Sequence, residues 1–330
     1  MTVVTTQLDL ERDILTAALR APSAHNAQPW RLSRLEVGGY RLWYAYEDKL
    51  LADPDDRDGI IATGGFFETM RLAAENRGWT TTLQLEVRNH DKGIDLGRVM
   101  LTPLKAPPDP LAASIEKRQA NRHPYQRTAL PARLAAQLGD LGNVLLDPNL
   151  VAPLVDRASV MAWKDPRFVT DLDEWTRFDE ISPDGMTVDC LDLNGLDQWA
   201  LKFALKRGRL PGWLARIYAQ RDVRLTKASS AIAVLITEDR RPETLFECGR
   251  RLIRSWTAIN AEGFSWHPMS IVIDQPTVRE LSALIGGRDG VAIYRVGYTP
   301  EAAPWSKRRS LDSVLAFAAD TNAAGTPPER

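Results

Sequence analysis

Three small residues recur along this 330-residue chain at one offset: Gly64, Ala73 and Gly78 return 185 positions later as Gly249, Ala258 and Gly263. A spacing kept this strictly predicts a diverged internal duplication. In each copy a helix-length segment, roughly Gly59 to Arg77 and Pro242 to Glu262, closes at a glycine suited to the left-handed position after a helix, and Trp79 or Phe264 follows. A glycine inside a helix costs up to about 1 kcal/mol relative to alanine, so Gly64 and Gly249 predict two helices in close approach across a pseudo-twofold axis. Strand patterns come next: Thr81 to Val87 and Gly97 to Leu104 in the first copy, Met269 to Ile273 and Gly290 to Val296 in the second. The expected fold class is α+β.

The stiff run Lys105-Ala106-Pro107-Pro108-Asp109-Pro110 divides the chain into residues 1–110 and 111–330. The second part is longer, because a segment from about Met161 to Gln220 has no counterpart in the first. It carries Trp163, Trp175, Trp199 and Trp213 on mostly helical patterns, and reads as a lid or substrate wall, or else as a peripheral helical layer. The tail from Asp320 to Arg330 is expected to be disordered.

Forty-two basic residues against 43 acidic ones leave a net charge of −1, which points to a small-molecule partner, with no nucleic acid and no membrane. Lys202, Lys206, Arg207 and Arg209 cluster at the end of a helical pattern, where cations suit the helix dipole. The first residues show no cationic stretch leading into an apolar core, and the longest apolar run, Ala231 to Ile236, is too short to span a bilayer. A cytoplasmic protein is expected. Cys190 and Cys248 lack a CxxC spacing and His25, His90, His123 and His267 are scattered, so no metal site is indicated. The pairs Gly64-Gly65 and Gly286-Gly287 do not fit a GxGxxG frame, which argues against a Rossmann dinucleotide site.

Chemistry concentrates in three distant segments. In Pro22-Ser23-Ala24-His25-Asn26-Ala27-Gln28-Pro29-Trp30, the proline stops a preceding helix and Ser23 and Asn26 offer hydroxyl, carbonyl and amide groups to a ligand. His25 lies within this loop either as a proton donor or only to shape the turn. The other two segments are basic: Ile115 to Tyr125, with Arg118 and Arg122, and Trp305 to Leu311, with Lys307, Arg308 and Arg309. Converging guanidinium and ammonium groups suit a phosphate, which arginine's fork matches geometrically.

Together these segments resemble the nitroreductase family of flavin enzymes, and their order resembles its double-domain, Acg-type branch, over about residues 9 to 316. The resemblance implies two fused nitroreductase-like halves forming an intrachain pseudo-dimer, with the helical insertion in the second half. It implies FMN held by Pro22, Ser23 and Asn26 of the loop, by Arg118 and Arg122 of a phosphate-binding start, and by the basic pair Lys307 and Arg309. Arg308 can replace either in a shifted alignment. Ala120 stands where the family usually has a phosphate-binding serine. Arg224 is implied as a partner for the pyrimidine end of the flavin, and Met269 and Ser270 as the segment whose amides approach its reactive nitrogen. One complete set of these elements implies a single flavin per chain in a monomer, with further self-association left open.

No catalytic side chain is singled out. The implied activity is FMN-dependent reduction of nitroaromatic, quinone or related electron-poor acceptors, with NADH or NADPH as donor. Two alternatives remain open: an FMN-sequestering stress protein with little turnover, and a specialised flavin dehydrogenase or reductase of a metabolite.

Overall fold

The computed structural model describes residues 7–36, 38–208 and 210–315. The expected tail disorder falls outside them, as does Arg209 of the basic cluster. The first part runs α1 (Gln7–Ala18), β1 (Trp30–Arg34), β2 (Tyr40–Ala45), α2 (Arg57–Glu75), β3 (Trp79–His90) and β4 (Gly93–Pro103). The second begins with α3 (Ala132–Asp140) and β5 (Asn143–Leu146), then passes through α4 (Pro148–Ala162), α5 (Pro166–Trp175), β6 (Thr176–Arg177), β7 (Met186–Thr187), α6 (Gly195–Lys206) and α7 (Gly212–Lys227). It returns with β8 (Ala231–Thr237), α8 (Pro242–Ala261), β9 (Ser265–Pro268), α9 (Ile271–Asp274), α10 (Val278–Leu284), β10 (Asp289–Gly297) and α11 (Leu311–Leu315). The architecture is mixed α and β.

Two antiparallel four-stranded sheets share one pattern of connection. Their orders are β1-β2-β4-β3 and β5-β8-β10-β9, and in each a long helix links the second strand to the third in sequence. These helices, α2 and α8, lie between the sheets and pack on each other. α2 is buried on nearly every face, from Ile60 through Ala74, as a helix between two layers must be. The helices end at Gly78 (φ +75°) and Gly263 (φ +76°), the left-handed backbone that glycine adopts without a Cβ clash. Their crossing is reciprocal: a Cβ on Gly64 would sit 2.1 Å from the Phe246 carbonyl oxygen, and one on Gly249 would sit 2.0 Å from that of Ile61. A methyl group at either glycine would force the backbones apart.

The strand expected at Met269–Ile273 lies earlier. β9 ends at Pro268, and after Met269 donates its N–H to the Ile293 carbonyl (2.9 Å) the chain coils into α9, with Asp274 N–H bonded to the Ser270 carbonyl (3.0 Å). An apolar run this short suits a single buried turn as well as a strand, and periodicity alone does not separate them. The segment expected at about Met161 to Gln220 falls in the stretch between β5 and β8, which contains α4 to α7, whereas only residues 35–39 separate β1 from β2. Three of these four helices start at side-chain caps, Asp147 before α4, Asp165 before α5 and Asn194 before α6.

Candidate cofactor site

α1 stops before Pro22, and the loop that follows is held in a costly conformation. His25, Asn26 and Gln28 all have positive φ (51°, 55° and 54°), a region that costs non-glycine residues roughly 1–3 kcal/mol each and persists only where the surroundings impose it. Gln28, fully buried, imposes it. Its N–H donates to Ser23 Oγ (2.9 Å), its side-chain amide donates to the Pro183 carbonyl (2.9 Å), and its Oε1 accepts from Arg309 N–H (2.9 Å). Asn26 Nδ2 donates to the Gly185 carbonyl (2.9 Å), and the Gly185 N–H returns a bond to the Asn26 carbonyl (3.3 Å). The loop, the insertion and the C-terminal segment are thus one structure.

They enclose a cavity of about 460 Å³ at the α2–α8 crossing, within the range of small-molecule sites. Pro22, Ser23, Asn26, Arg118, Arg122, Met269 and Ser270 all line it, although they come from opposite ends of the sequence. Trp256 and Trp266, stacked with ring centres 3.8 Å apart, form part of the wall. The insertion contributes Leu172, Met186 and Cys190.

At one end three guanidinium groups converge. Arg118 donates to the Arg20 carbonyl, Arg308 donates to the same oxygen (3.3 Å), and Arg20 itself donates to the Ser306 carbonyl (3.0 Å). Among the described residues none of the three has a carboxylate within ion-pair distance, and the buried Nε atoms of Arg118 and Arg308 have no partner. Burial, then the neighbouring Arg20 charge, pushes both Arg118 and Arg308 down to about 9. Cations desolvated together without a counter-charge are unfavourable. An anion of two charges at this end would relieve all three.

Farther along, Arg295 is almost wholly buried; it donates to the Arg122 carbonyl (2.6 Å) and to His267 Nδ1 (3.2 Å), and its guanidinium lies 3.9 Å from the Tyr125 ring centre. Burial first, and then the charges of Arg122 and Arg295, keep His267 neutral well below its usual range. Arg57 and Asp58 also line the cavity, backed by Asp274 and Asp53. Arg57 bridges Asp58 (2.8 Å) and Asp274 (2.6 Å), while Asp53 accepts from the N–H groups of Asp58 (3.0 Å) and Gly59 (3.1 Å).

Three expected residues stand outside the lining. Arg224 is exposed on α7, whose Asp222, Leu225 and Thr226 face the cavity; a helix turns about 100° per residue, which carries position 224 away. Lys307 is exposed. Arg309 is spent on carboxylates, Asp48 (2.8 Å) and Asp184 (2.8 Å), so Arg308 alone of the three consecutive cations faces inward. Arg20, Arg295 and Gln28 were not singled out from sequence. Arg295 left a trace there, a lone cation within the apolar strand run Ala292-Ile293-Tyr294-Arg295-Val296; Arg20 left none beyond its place just before the loop.

No family model matches the chain. A Mycobacterium tuberculosis protein provisionally named an NAD(P)H nitroreductase is 32% identical over 143 residues, which is 41% of this chain and 40% of that protein. Over those residues the chain is similar to a nitroreductase. The match to that nitroreductase spans well under half the length of either protein, while an uncharacterized protein of the same organism is 24% identical over 92% of both chains. Among solved structures, the chain is similar to the FMN-dependent nitroreductase NfnB of Mycobacterium smegmatis in complex with NADPH. The identity is 14% and the TM-score 0.39, covering 62% of this chain and 95% of that one. A nitroreductase with bound FMN from Bacteroides fragilis gives 13% and 0.36, covering 67% and 100%. No described helix is long and apolar enough to cross a membrane.

Proposed function

We propose that the cavity holds one FMN and that the chain is an FMN-dependent oxidoreductase using NADH or NADPH to reduce nitroaromatic, quinone or related electron-poor acceptors. The observation that carries this reading is the Arg20–Arg118–Arg308 cluster, whose two orphaned Nε donors fit a phosphate dianion. Ser23 and Asn26 line the same cavity, with Asn26 donating to the Lys307 carbonyl (3.3 Å) next to Arg308, and Arg122 and Arg295 supply positive charge where an electron-rich ring edge would be stabilised. Bound FMN supplies hydride and single-electron chemistry; the protein positions it, sets the charge around it and excludes water. We further read the chain as two fused halves forming a pseudo-dimer, with the inserted segment as a lid, so that a monomer contains the whole site.

One feature supports the FMN-sequestering alternative. The insertion is fastened over the cavity at several points, by Asn26 to Gly185, by Gln28 to Pro183, and by Asp171, which accepts from the N–H groups of Leu51 (2.8 Å) and Ala52 (2.7 Å). Anaerobic mixing of the yellow protein with each nicotinamide separates the readings. Rapid loss of the visible flavin band favours an enzyme and names its donor; a band unchanged by either donor favours sequestration. A protein that carries no FMN at saturation overturns both.

A further inference from the structure

The inserted helices turn outward a face that the cavity does not use. On α6, Leu196, Trp199 and Phe203 follow one another at helical spacing, with Leu196 73% and Trp199 62% exposed; on α7, Trp213 is 68% and Ile217 54% exposed. These are the two most exposed tryptophans among the described residues. The opposite faces are buried through Ala200, Leu201, Ala204 and Leu205 of α6 and through Ala215 and Ala219 of α7, and Ala204, Leu210 and Ala215 pack together where the helices meet.

Cations accompany the apolar side chains. Residues 195 to 217 contain five basic residues and one acidic residue, Asp197, in a chain whose net charge is −1. Lys202, Lys206, Arg207 and Arg216 are exposed, and Arg207 lies 4.1 Å over the ring of Phe203, which itself stacks on Trp199. The nearly balanced overall charge, which pointed away from a membrane, hides this local excess. A second copy of the chain makes a poor occupant, because a twofold contact would set the same cations against each other. Leu196 and Ile217 offer a nucleic acid no stacking. A surface that takes both apolar groups and positive charge is an anionic lipid headgroup layer.

We propose that the α6–α7 pair docks the protein on anionic lipid bilayers, with Leu196, Trp199, Trp213 and Ile217 entering the headgroup boundary and Lys202, Lys206, Arg207 and Arg216 contacting headgroups. The test floats the full chain with vesicles of phosphatidylcholine alone or mixed with phosphatidylglycerol, a readout independent of FMN. The protein should float with the mixed vesicles at low salt and remain behind with phosphatidylcholine. W199A/W213A and K202E/R216E should each lower binding to the mixed vesicles by about tenfold or more, with circular dichroism and thermal unfolding unchanged. Failure of the parent protein to float, or equal flotation of both variants, overturns the proposal. So does light scattering that shows a dimer lost in W199A/W213A, or retention on single-stranded RNA without retention on vesicles.

Discussion

The two sides of the α2–α8 crossing are built alike and filled differently. Gly65, Ile253 and Trp256 line the cavity, and the positions 185 residues away from them are Arg250, Glu68 and Arg71. Those three form an ion-pair network instead. Glu68 is fully buried and accepts from Arg71 (2.6 Å), Arg250 (3.0 Å) and Arg254 (3.1 Å), while Asp109 takes Arg254 (2.6 Å) and Arg71 (3.1 Å). The connections differ in the same sense: α1 and β1 are joined through the long Pro22 loop, α3 and β5 by Leu141 and Gly142 alone. A close helix crossing therefore accommodates either a cavity or a plug. What decides is whether the neighbouring positions are small or apolar and whether a loop exists to wall the space.

The largest effect should come from the shared element. Gly64→Ala and Gly249→Ala each push a methyl group into a backbone carbonyl that cannot move aside, so each should cost about 3 kcal/mol or more in a denaturant titration. The losses should match within the error of the titration. If one glycine tolerates alanine, the crossing is not reciprocal and the comparison fails.

Next is the plug. Glu68→Gln leaves three guanidinium groups around a neutral amide and should cost about 3 kcal/mol at neutral pH, with FMN affinity unchanged. Burial alone would raise the Glu68 carboxyl, but the hydrogen bond and charge of Arg71 and the charges of Arg250 and Arg254 hold it below its ordinary range. The folded value is then lower than the unfolded one. Its contribution is complete above the unfolded value of about 4.5 and is lost as pH falls through the folded value, so the parent and Glu68→Gln should converge in acid. Convergence at high pH instead would reverse the assigned sign.

The cavity side is sharpened by its arginines. Charge-assisted bonds contribute about 1.5–3 kcal/mol, so Arg118→Ala and Arg308→Ala should each weaken FMN by roughly ten- to a hundredfold while barely affecting riboflavin. Arg309→Ala should leave the FMN-to-riboflavin affinity ratio unaltered, since its guanidinium is held by Asp48 and Asp184. Equal losses for both ligands in the Arg118 and Arg308 variants would remove the phosphate from the proposal.

How much of this was legible in the sequence follows from what each signal depends on. The helix ends at Gly78 and Gly263 and the crossing glycines were readable, because only a left-handed turn or a backbone contact demands glycine there. The Pro22 loop and Arg118 were readable as local motifs that the fold brings to one cavity. Side-chain direction was not. Lys307, Arg308 and Arg309 are equally basic, and only the positions of Asp48 and Asp184, more than a hundred residues earlier, show which one is tied up. Arg224 failed for a similar reason, since a cation near a helix end says nothing about which face its helix turns inward. Arg20 lies in no motif; its carbonyl accepts from Arg118 and Arg308 while its guanidinium donates to the Ser306 carbonyl, contacts that only the fold brings together.

The smallest effect concerns Asp53, just before α2, against Glu238, the position 185 residues later before α8. Glu238 is exposed, whereas Asp53 is buried and accepts from two backbone N–H groups at the start of its helix. Burial, and then the nearby Asp58 charge, pushes Asp53 up to about 7 from an ordinary 3.8. A folded value above the unfolded one means that the folded chain keeps a proton the unfolded chain has released. Stability should therefore fall as pH rises from about 4 to about 7 and change no further from this group above that window. Asp53→Asn should flatten the decline in thermal midpoint across those pH values without abolishing it, because Asp274, pushed up to about 6 by burial and then by Asp58, remains. Glu238→Gln should leave the profile where it was. An unchanged slope in Asp53→Asn, or an equal flattening in Glu238→Gln, would mean that the cavity side owes none of its pH sensitivity to the buried acid before α2.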